Sequence, residues 1–184
     1  MTDQPKRADA QRNRERLLEV AIRAFAKDGA DVSLEGIARH AGVGIGTLYR
    51  HFPTRDALVE AVYRNEIERV SALAEELLIS RQPEDALREW MKHFVGFMTT
   101  KHGMAEAFRA VIASGGSPFG QTRILVLDAV QNLITAGSAD GGIRNDVAPI
   151  DILTLLNGLS FASDDSDQTE RLLSLIVDGL RMTN

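Results

Sequence analysis

The sequence predicts an all-α protein with about nine helices. Apolar residues recur at steps of three and four along most of the chain, and no segment alternates apolar and polar residues as a half-buried strand does. Glycine, proline and short polar runs separate these periodic segments. The chain has 184 residues, 44% of them hydrophobic, so it can bury a core without covalent cross-links.

The first three predicted helices are closely spaced. Apolar residues at helical spacing predict a helix over residues 14–27. Ser33 can cap a second, short helix, and Gly42 ends it because glycine tolerates the left-handed conformation just past a helix end. A third helix follows over residues 45–52, and Pro53 prevents its continuation.

A long fourth helix and five more complete the predicted fold. Thr54 can cap the fourth helix, whose apolar positions continue to Leu77. Pro83 and Pro149 stand in first turns, where proline is tolerated. The five later helices are predicted over residues 83–100, 104–113, 121–136, 149–161 and 168–182, with loops over 115–120 and 163–167.

The charge of the chain is unevenly distributed. The net charge is −5, yet residues 1–55 hold ten Lys and Arg against seven Asp and Glu, and residues 56–184 hold eleven against nineteen. A basic segment can contact phosphates, which makes a nucleic-acid partner compatible with an acidic protein. A basic N-terminal arm is equally typical of a solvated tail, so charge alone does not decide between the two.

The sequence contains no catalytic or metal-binding constellation. The absence of cysteine excludes thiolate nucleophiles and cysteine-ligated zinc. The four histidines lack the paired spacing of zinc sites, and no serine lies in a nucleophile-elbow motif. We therefore expect no enzyme activity, no metal and no cofactor. No apolar run approaches ~18 residues and the N-terminus lacks an export signal, so we expect a cytoplasmic protein without a membrane partner.

The segment AGVGIGTLYRHF at residues 41–52 has glycines at alternate positions and side chains able to contact phosphate. A dinucleotide-binding loop requires its glycines directly after a strand, and a P-loop ends in Gly-Lys-Ser/Thr. Here a helix precedes the glycines, Thr47 occupies the position of the third glycine, and no lysine follows. The remaining interpretation is a helix-turn-helix, whose second helix can lie in the major groove of DNA.

The run from Leu17 through Val62, above all VSLEGIARHAGVGIGTLYRHFPTRDALVEAV, resembles the DNA-binding region of the TetR (tetracycline-repressor) family of transcriptional regulators. The segment IRNDVAPIDILTLLNG also resembles the start of the penultimate helix in many members. The resemblance implies a three-helix DNA-binding domain with a basic N-terminal arm over residues 1–54. A long helix would join it to a helical ligand-binding and dimerisation domain over residues 55–184.

The resemblance also implies which residues contact DNA. The implied set comprises Ser33, Gly44, Ile45, Gly46, Thr47, Tyr49, Arg50, His51 and Arg55. The charge of the N-terminal arm adds Arg12 and Arg14 as candidates. Ser33, Tyr49, His51 and Arg55 would approach backbone phosphates, and Gly46 would allow the backbone to come close to the sugar-phosphate wall. The two arginines of the arm would enter a minor groove or meet phosphates.

Base recognition rests on few side chains of this motif. Many family members have Ser or Asn at the position of Gly44 and a polar or basic residue at that of Ile45. Thr47 and Arg50 are therefore the best candidates to read bases, and Ile45 can pack on a thymine methyl group. DNA shape and the basic arm would supply the rest of the specificity.

The C-terminal half suggests a ligand pocket and a dimer surface. The pocket candidates are Trp90, Phe94, Phe97, Met98, Met104 and Phe108, although such side chains are more often ordinary core. The dimer candidates are Ile150, Leu153, Leu156, Leu172, Leu175 and Ile176 on the last two helices.

The sequence thus predicts a homodimeric regulator that binds a palindromic double-stranded DNA operator. As is typical of the family, it would be a repressor, released by an unidentified small apolar ligand. The alternative is a helical ligand-binding or adaptor protein that keeps the motif but has lost specific DNA binding, because Gly44 and Ile45 reduce base readout.

Overall fold

The computed structural model describes residues 4–28, 31–115, 122–163 and 165–182. Nine helices and no strand occupy these ranges, so the predicted all-α fold is confirmed. The helices are α1 Gln4–Asp28, α2 Leu34–His40, α3 Ile45–His51, α4 Arg55–Ser80, α5 Pro83–Gly103, α6 Ala105–Ala113, α7 Thr122–Ala139, α8 Pro149–Ala162 and α9 Ser166–Leu180. Within the same ranges, no helix combines the length and the apolar character needed to cross a bilayer.

Helix α1 begins earlier than its apolar pattern predicts. It starts at Gln4 rather than Arg14, so the segment predicted as an arm is helical. Side-chain pairs at helical spacing support such an extension, because residues three and four apart are neighbours on a helix surface. These pairs are Asp9 with Arg12, Gln11 with Glu15, and Asn13 with Arg16.

The other helix ends lie near their predicted positions. Helix α5 continues to Gly103 and α7 to Ala139, each a few residues beyond the prediction. Helix α9 begins at Ser166 because the Asp165 carboxylate accepts hydrogen bonds from the amides of Asp167 and Gln168. Residues 116–120 of the first predicted loop, residue 121 of the next predicted helix and residue 164 of the second loop lie outside the described residues.

The chain divides into two compact units. The first contains the described residues of Met1–Asn65 and Thr100–Pro118, and the second those of Glu66–Thr99 and Phe119–Asn184. Helix α6 and the end of α5 therefore belong with the helix-turn-helix, although they lie far from it in sequence. The predicted boundary at residue 54 separates the DNA-binding region from the ligand-binding region rather than two compact units, and it stays a prediction.

The core of the first unit comes from one face of each of its helices. Leu17 and Phe25 of α1, Ile37 of α2, Leu48 of α3 and Leu58 of α4 are all almost completely buried. Burying side chains of this size stabilises a fold by about 1.5–3 kcal/mol each. This shared core fixes α1, α2, α3 and the start of α4 as one body.

Residues 100–115 pack within the same unit through specific contacts. The edge of the Phe108 ring meets the Tyr63 ring, with 5.4 Å between centroids. The Ser114 hydroxyl donates to the Asp56 carboxylate over 2.6 Å. The Lys101 ammonium lies 5.6 Å from the centre of the Tyr63 ring, and burial lowers the pKa of Lys101. The start of α4 is thus held from a second side.

The second unit is built around α5. Trp90 and Met91 are fully buried, as are Leu133 of α7 and Ile152 of α8. The Trp90 indole N–H donates to the carbonyl oxygen of Val70 over 2.8 Å, so its polar atom is satisfied inside the core.

Polar contacts join α5 to α9 at the surface of the second unit. The Arg181 guanidinium donates to the Glu84 carboxylate over 2.6 Å, and Arg88 donates to the Ser174 hydroxyl over 2.6 Å. The hydrogen bond from Arg181 holds the pKa of Glu84 below its usual value. These contacts tie the last helix to its own unit.

Candidate nucleic-acid interface

A tight turn joins α2 to α3. Helix α2 ends at His40 with Ala41 as its C-cap, and Gly42 adopts a φ of +68°, which confirms the reason for a glycine at this position. The Gly42 amide donates to the carbonyl of Arg39 over 3.1 Å, and the Val43 amide donates to that of Ala38 over 3.0 Å. The turn therefore uses the last carbonyls of α2 to fix the direction in which α3 leaves.

Buried residues hold α3 from beneath. Leu48 and Phe52 are almost completely buried in the first unit. The Phe52 amide donates to the Leu48 carbonyl over 2.8 Å and ends the helix before Pro53. Thr54 then caps α4 as predicted, its hydroxyl accepting from the Ala57 amide over 3.0 Å. Together these contacts make α3 a rigid, positioned helix.

The opposite face of α3 is open. Ile45, Tyr49 and Arg50 are exposed, and Thr47 and His51 are half-buried. The exposed fraction of Tyr49 is 45%, which is large for an aromatic residue one position after fully buried Leu48. We call these five side chains the recognition surface. The prediction that they face DNA is compatible with this exposure, and it stays a prediction.

Gly44 and Gly46 lie at the start of this surface. Gly44 is the N-cap of α3 with φ −72° and ψ 148°, a conformation open to any residue, and it provides no capping side chain. A Cβ atom at either glycine would meet no atom within 4 Å. Neither glycine is therefore required by the packing of the protein itself, and the approach of a DNA backbone to Gly46 stays a prediction.

Ser33 performs two tasks at the start of α2. Its hydroxyl oxygen accepts from the Gly36 amide over 3.1 Å, which confirms the predicted cap. The same hydroxyl donates to the Glu35 carboxylate over 3.2 Å. A phosphate contact by Ser33 must therefore redirect the hydroxyl proton away from Glu35.

The arginines of the N-terminal segment differ in their surroundings. Arg12 is exposed and pairs with Asp9, whereas the Arg14 guanidinium lies 5.5 Å from the centre of the Phe52 ring at the end of α3. A helix is about 10–12 Å across and the minor groove only about 6 Å wide. These arginines therefore reach DNA from a helix and not from an extended arm, and their contact with phosphates or a minor groove stays a prediction.

Arg55 is engaged inside the protein. One terminal nitrogen of its guanidinium donates to the carbonyl oxygen of Val32 over 2.6 Å. The guanidinium carbon also lies 5.2 Å from the centre of the Phe25 ring, which is fully buried. The predicted phosphate contact of Arg55 must be weighed against these internal contacts.

A groove beside α2 adds cations that the sequence prediction did not include. It has a volume of 490 Å³ and lies between α1 and α2, with Arg23, Lys27, Ser33 and His40 among its lining residues. Arg23 and Lys27 stand four residues apart, so their common helix face was visible in the sequence. Their position beside the Ser33 cap depends on the packing of α1 on α2, so it could not be predicted from the sequence.

The pocket candidates are all buried but belong to two units. Trp90, Phe94, Phe97 and Met98 lie in the second unit, and Met104 and Phe108 lie in the first. The rings of Trp90 and Phe94 stack with 5.2 Å between centroids. These contacts fit the ordinary-core interpretation, and a ligand pocket lined by all six stays a prediction.

The dimer candidates separate into exposed and buried residues. Leu175 has an exposed fraction of 66%, and Ile150 is also exposed. Leu153, Leu172 and Ile176 are half-buried. Leu156 is fully buried in the core of its own unit, so it offers no surface to a second copy. On α8 the exposed apolar residues include Leu155 and Phe161 instead.

Two family descriptions match the chain. "Bacterial regulatory proteins, tetR family" matches residues 17–62, the segment that carries the resemblance in sequence. "Transcriptional regulator SbtR-like, C-terminal domain" matches residues 82–182, which contain α5 to α9. The two matches together extend over most of the chain.

Solved structures resemble the chain over nearly its whole length. A TetR transcriptional regulator from Streptomyces coelicolor is 48% identical, with a TM-score of 0.88 over 93% of this chain and 99% of that one. The TetR transcription regulatory protein from Mycobacterium vanbaalenii is 36% identical, with a TM-score of 0.81 over 97% of this chain and 100% of that one.

Among curated proteins the likeness is confined to the motif. An HTH-type transcriptional regulator from Staphylococcus aureus (strain USA300) is 38% identical over 63 residues, which are 34% of this chain and 34% of that protein. The match therefore spans about a third of the length of this curated relative.

Proposed function

The chain belongs to the TetR family of bacterial transcriptional regulators, and from this premise we propose that it is a dimeric repressor released from a palindromic operator by a small apolar ligand. It is a DNA-binding regulator and not an enzyme. The observation that carries the proposal is the recognition surface of α3, which is open while Leu48 and Phe52 hold the helix from beneath. Because operator DNA lies in the bacterial cytoplasm, the proposed action takes place there.

DNA binding would use the recognition surface in the major groove. Arg50 and Thr47 read base edges, Ile45 packs on a thymine methyl, and Tyr49 and His51 contact phosphates. Ser33 contacts a phosphate at the start of α2. Arg12 and Arg14, on the helical N-terminal segment, lie along phosphates beside the half-site. In a symmetric dimer two such helices enter successive major grooves, about 34–36 Å apart or a multiple of that distance.

The ligand would release the protein from its operator by changing the relative stability of two dimer conformations. TetR-family regulators bind DNA and small-molecule ligands and act as dimers. The buried aromatic residues of α5 support an apolar ligand here, because Trp90 and Phe94 offer rings and no charge. A coupling free energy of about 1–3 kcal/mol between the sites would lower operator affinity about 5–150-fold.

The test is selection of bound fragments from genomic DNA of the source organism, repeated with a panel of metabolites. We expect a palindromic motif to be enriched, and one apolar compound to reduce its recovery. Failure to enrich any sequence would contradict the proposal and favour the alternative of a helical adaptor that has lost specific DNA binding.

A variant of the recognition surface makes this test specific. Arg50→Ala combined with Tyr49→Phe should lower operator affinity by at least about 100-fold, because each subunit loses two charge-assisted contacts at ~1.5–3 kcal/mol each. Arg109→Ala is the matched control, since it removes an exposed arginine of α6 in the same unit, which pairs with Glu106 and is not part of the recognition surface. An equal loss of operator affinity in both variants would indicate that the net charge of the protein, and not a direct contact with DNA, causes the loss.

A further inference from the structure

Arg55 joins three elements of the first unit. It is the first residue of α4, its guanidinium lies over Phe25 of α1, and it donates to the carbonyl of Val32, directly before the α2 cap. The hydrogen bond is 2.6 Å long and partly buried. A buried carbonyl without a donor costs about 1–3 kcal/mol, so this contact matters to the position of Val32.

The chemistry of these contacts requires arginine rather than a cation in general. A guanidinium is planar, so its face can stack on a ring while an N–H in its plane reaches a carbonyl. A lysine ammonium has no such plane and cannot make both contacts in the same way. Replacing Arg55 by lysine would therefore keep the positive charge but remove the planar shape that the two contacts require.

The residue fixed by Arg55 adjoins a proposed DNA contact. Val32 precedes Ser33, whose hydroxyl accepts from the Gly36 amide and whose carbonyl accepts from the Ile37 amide over 3.0 Å. Movement of Val32 therefore moves the cap, the hydroxyl and the first turn of α2 together.

We propose that Arg55 is a positioning residue, which sets the start of α2 for DNA binding by linking the Val32 carbonyl to the Phe25 ring, and that it does not neutralise a phosphate. This inference rests on the proposed function, because its consequence is the placement of Ser33 at a phosphate. It replaces the phosphate contact that the family resemblance implies for this position.

The experiment compares Arg55→Lys and Arg55→Gln with the wild type on the operator found by selection. Affinity is measured over a salt series, and hydrogen exchange of the Gly36 and Ile37 amides is measured in the free protein. We expect both variants to lose affinity about tenfold. We expect the slope of log K against log salt to stay at its wild-type value, and both amides to exchange faster.

If Arg55 instead contacts a phosphate, the same measurements should give a different set of results. A phosphate contact predicts that Arg55→Lys binds nearly as the wild type and that both amides are unchanged. It also predicts that Arg55→Gln lowers the salt slope by about 1.8, which is about 0.9 for each subunit of the dimer. That set of results would overturn the inference. Unfolding of the first unit in both variants would support it, because an exposed phosphate ligand is replaced without loss of the fold.

Arg50 provides the control for the salt slope. It is exposed on α3, and Arg50→Gln should lower the slope or the sequence preference while leaving the Gly36 amide unchanged. If the wild type itself shows no salt-sensitive specific binding, the proposed function fails. The exchange of the Gly36 and Ile37 amides then still decides whether Arg55 holds the start of α2.

Discussion

Gly46 destabilises α3, although no contact within the described protein requires a glycine at this position. A glycine inside a helix costs about 0.5–1 kcal/mol relative to alanine. No atom would lie within 4 Å of a Cβ at this position, and its φ is not in the left-handed region. The neighbouring Ile45 and Tyr49 are exposed, so the space above Gly46 belongs to whatever α3 approaches. We infer that a DNA backbone comes close to Gly46 and occupies this space.

Gly46→Ala should therefore separate stability from binding. We expect the free energy of unfolding to rise by about 0.4–1 kcal/mol, since alanine restricts the unfolded chain and favours the helix. Operator affinity should fall about tenfold, because the new methyl group meets the sugar-phosphate backbone. Chemical denaturation and operator titration measure the two effects.

Gly96→Ala is the control for this change. Gly96 lies in α5, and a Cβ atom there also meets nothing within 4 Å. This variant should gain stability and keep its operator affinity. If Gly46→Ala binds the operator as the wild type does, no backbone comes close to α3 at this position.

The end of α5 approaches the end of α1 very closely. A Cβ atom at Gly103 would lie 2.7 Å from the carbonyl oxygen of Ala26, and this neighbour is backbone that cannot rotate away. Gly96, on the same helix, would meet nothing within 4 Å. One helix thus carries a glycine that packing requires and another that packing does not.

Gly103→Ala and Gly96→Ala should have opposite effects on stability. We expect Gly103→Ala to lower the free energy of unfolding by about 1–3 kcal/mol, as overpacking does. Gly96→Ala should raise it by about 0.4–1 kcal/mol. Thermal and chemical denaturation measure both, and a neutral Gly103→Ala would show that α5 and α1 do not approach as described.

The elements that the sequence predicted well are those with local causes. Ser33, Gly42 and Thr54 act on residues three or four positions away, so the bounds of α2 and α3 could be predicted. The start of α1 was missed because residues 8–16 bury no apolar side chain, and periodicity therefore gives no signal there. The cap at Asp165 explains the early start of α9 in the same local way.

Long-range contacts set the limit of prediction for the site. Arg55 is paired with Val32, 23 residues earlier in the chain, and no local pattern indicates that pairing. The family resemblance gives the position of Arg55 in the motif but not the direction in which its guanidinium turns. Leu155 and Leu156 are adjacent in sequence, and only the packing of α8 decides that Leu156 is the buried one.

At the scale of the molecule, exposed apolar side chains on the last two helices support a second copy. Leu155 and Phe161 of α8 and Leu175 of α9 are each more than half exposed, and exposed apolar surface is typical of interaction sites. Family members act as dimers, and a palindromic operator requires two recognition helices.

Leu175→Glu should dissociate the dimer. A charge at the centre of an apolar interface must be desolvated, so we expect monomers in sedimentation velocity at micromolar concentration. Loss of the linked second half-site should lower operator affinity by 100-fold or more. Ile124→Glu is the control, because Ile124 is 63% exposed on α7 of the same unit. An unchanged dimer in Leu175→Glu would exclude this face.

Specific DNA binding is tested most directly by the salt dependence of binding to two duplexes, the selected operator and a scrambled sequence of equal length and composition. We expect log K to fall linearly with log salt for both, and the operator to bind at least about 10³-fold more tightly at physiological salt. Equal affinity for the two duplexes, or affinity that does not change with salt, would contradict this expectation.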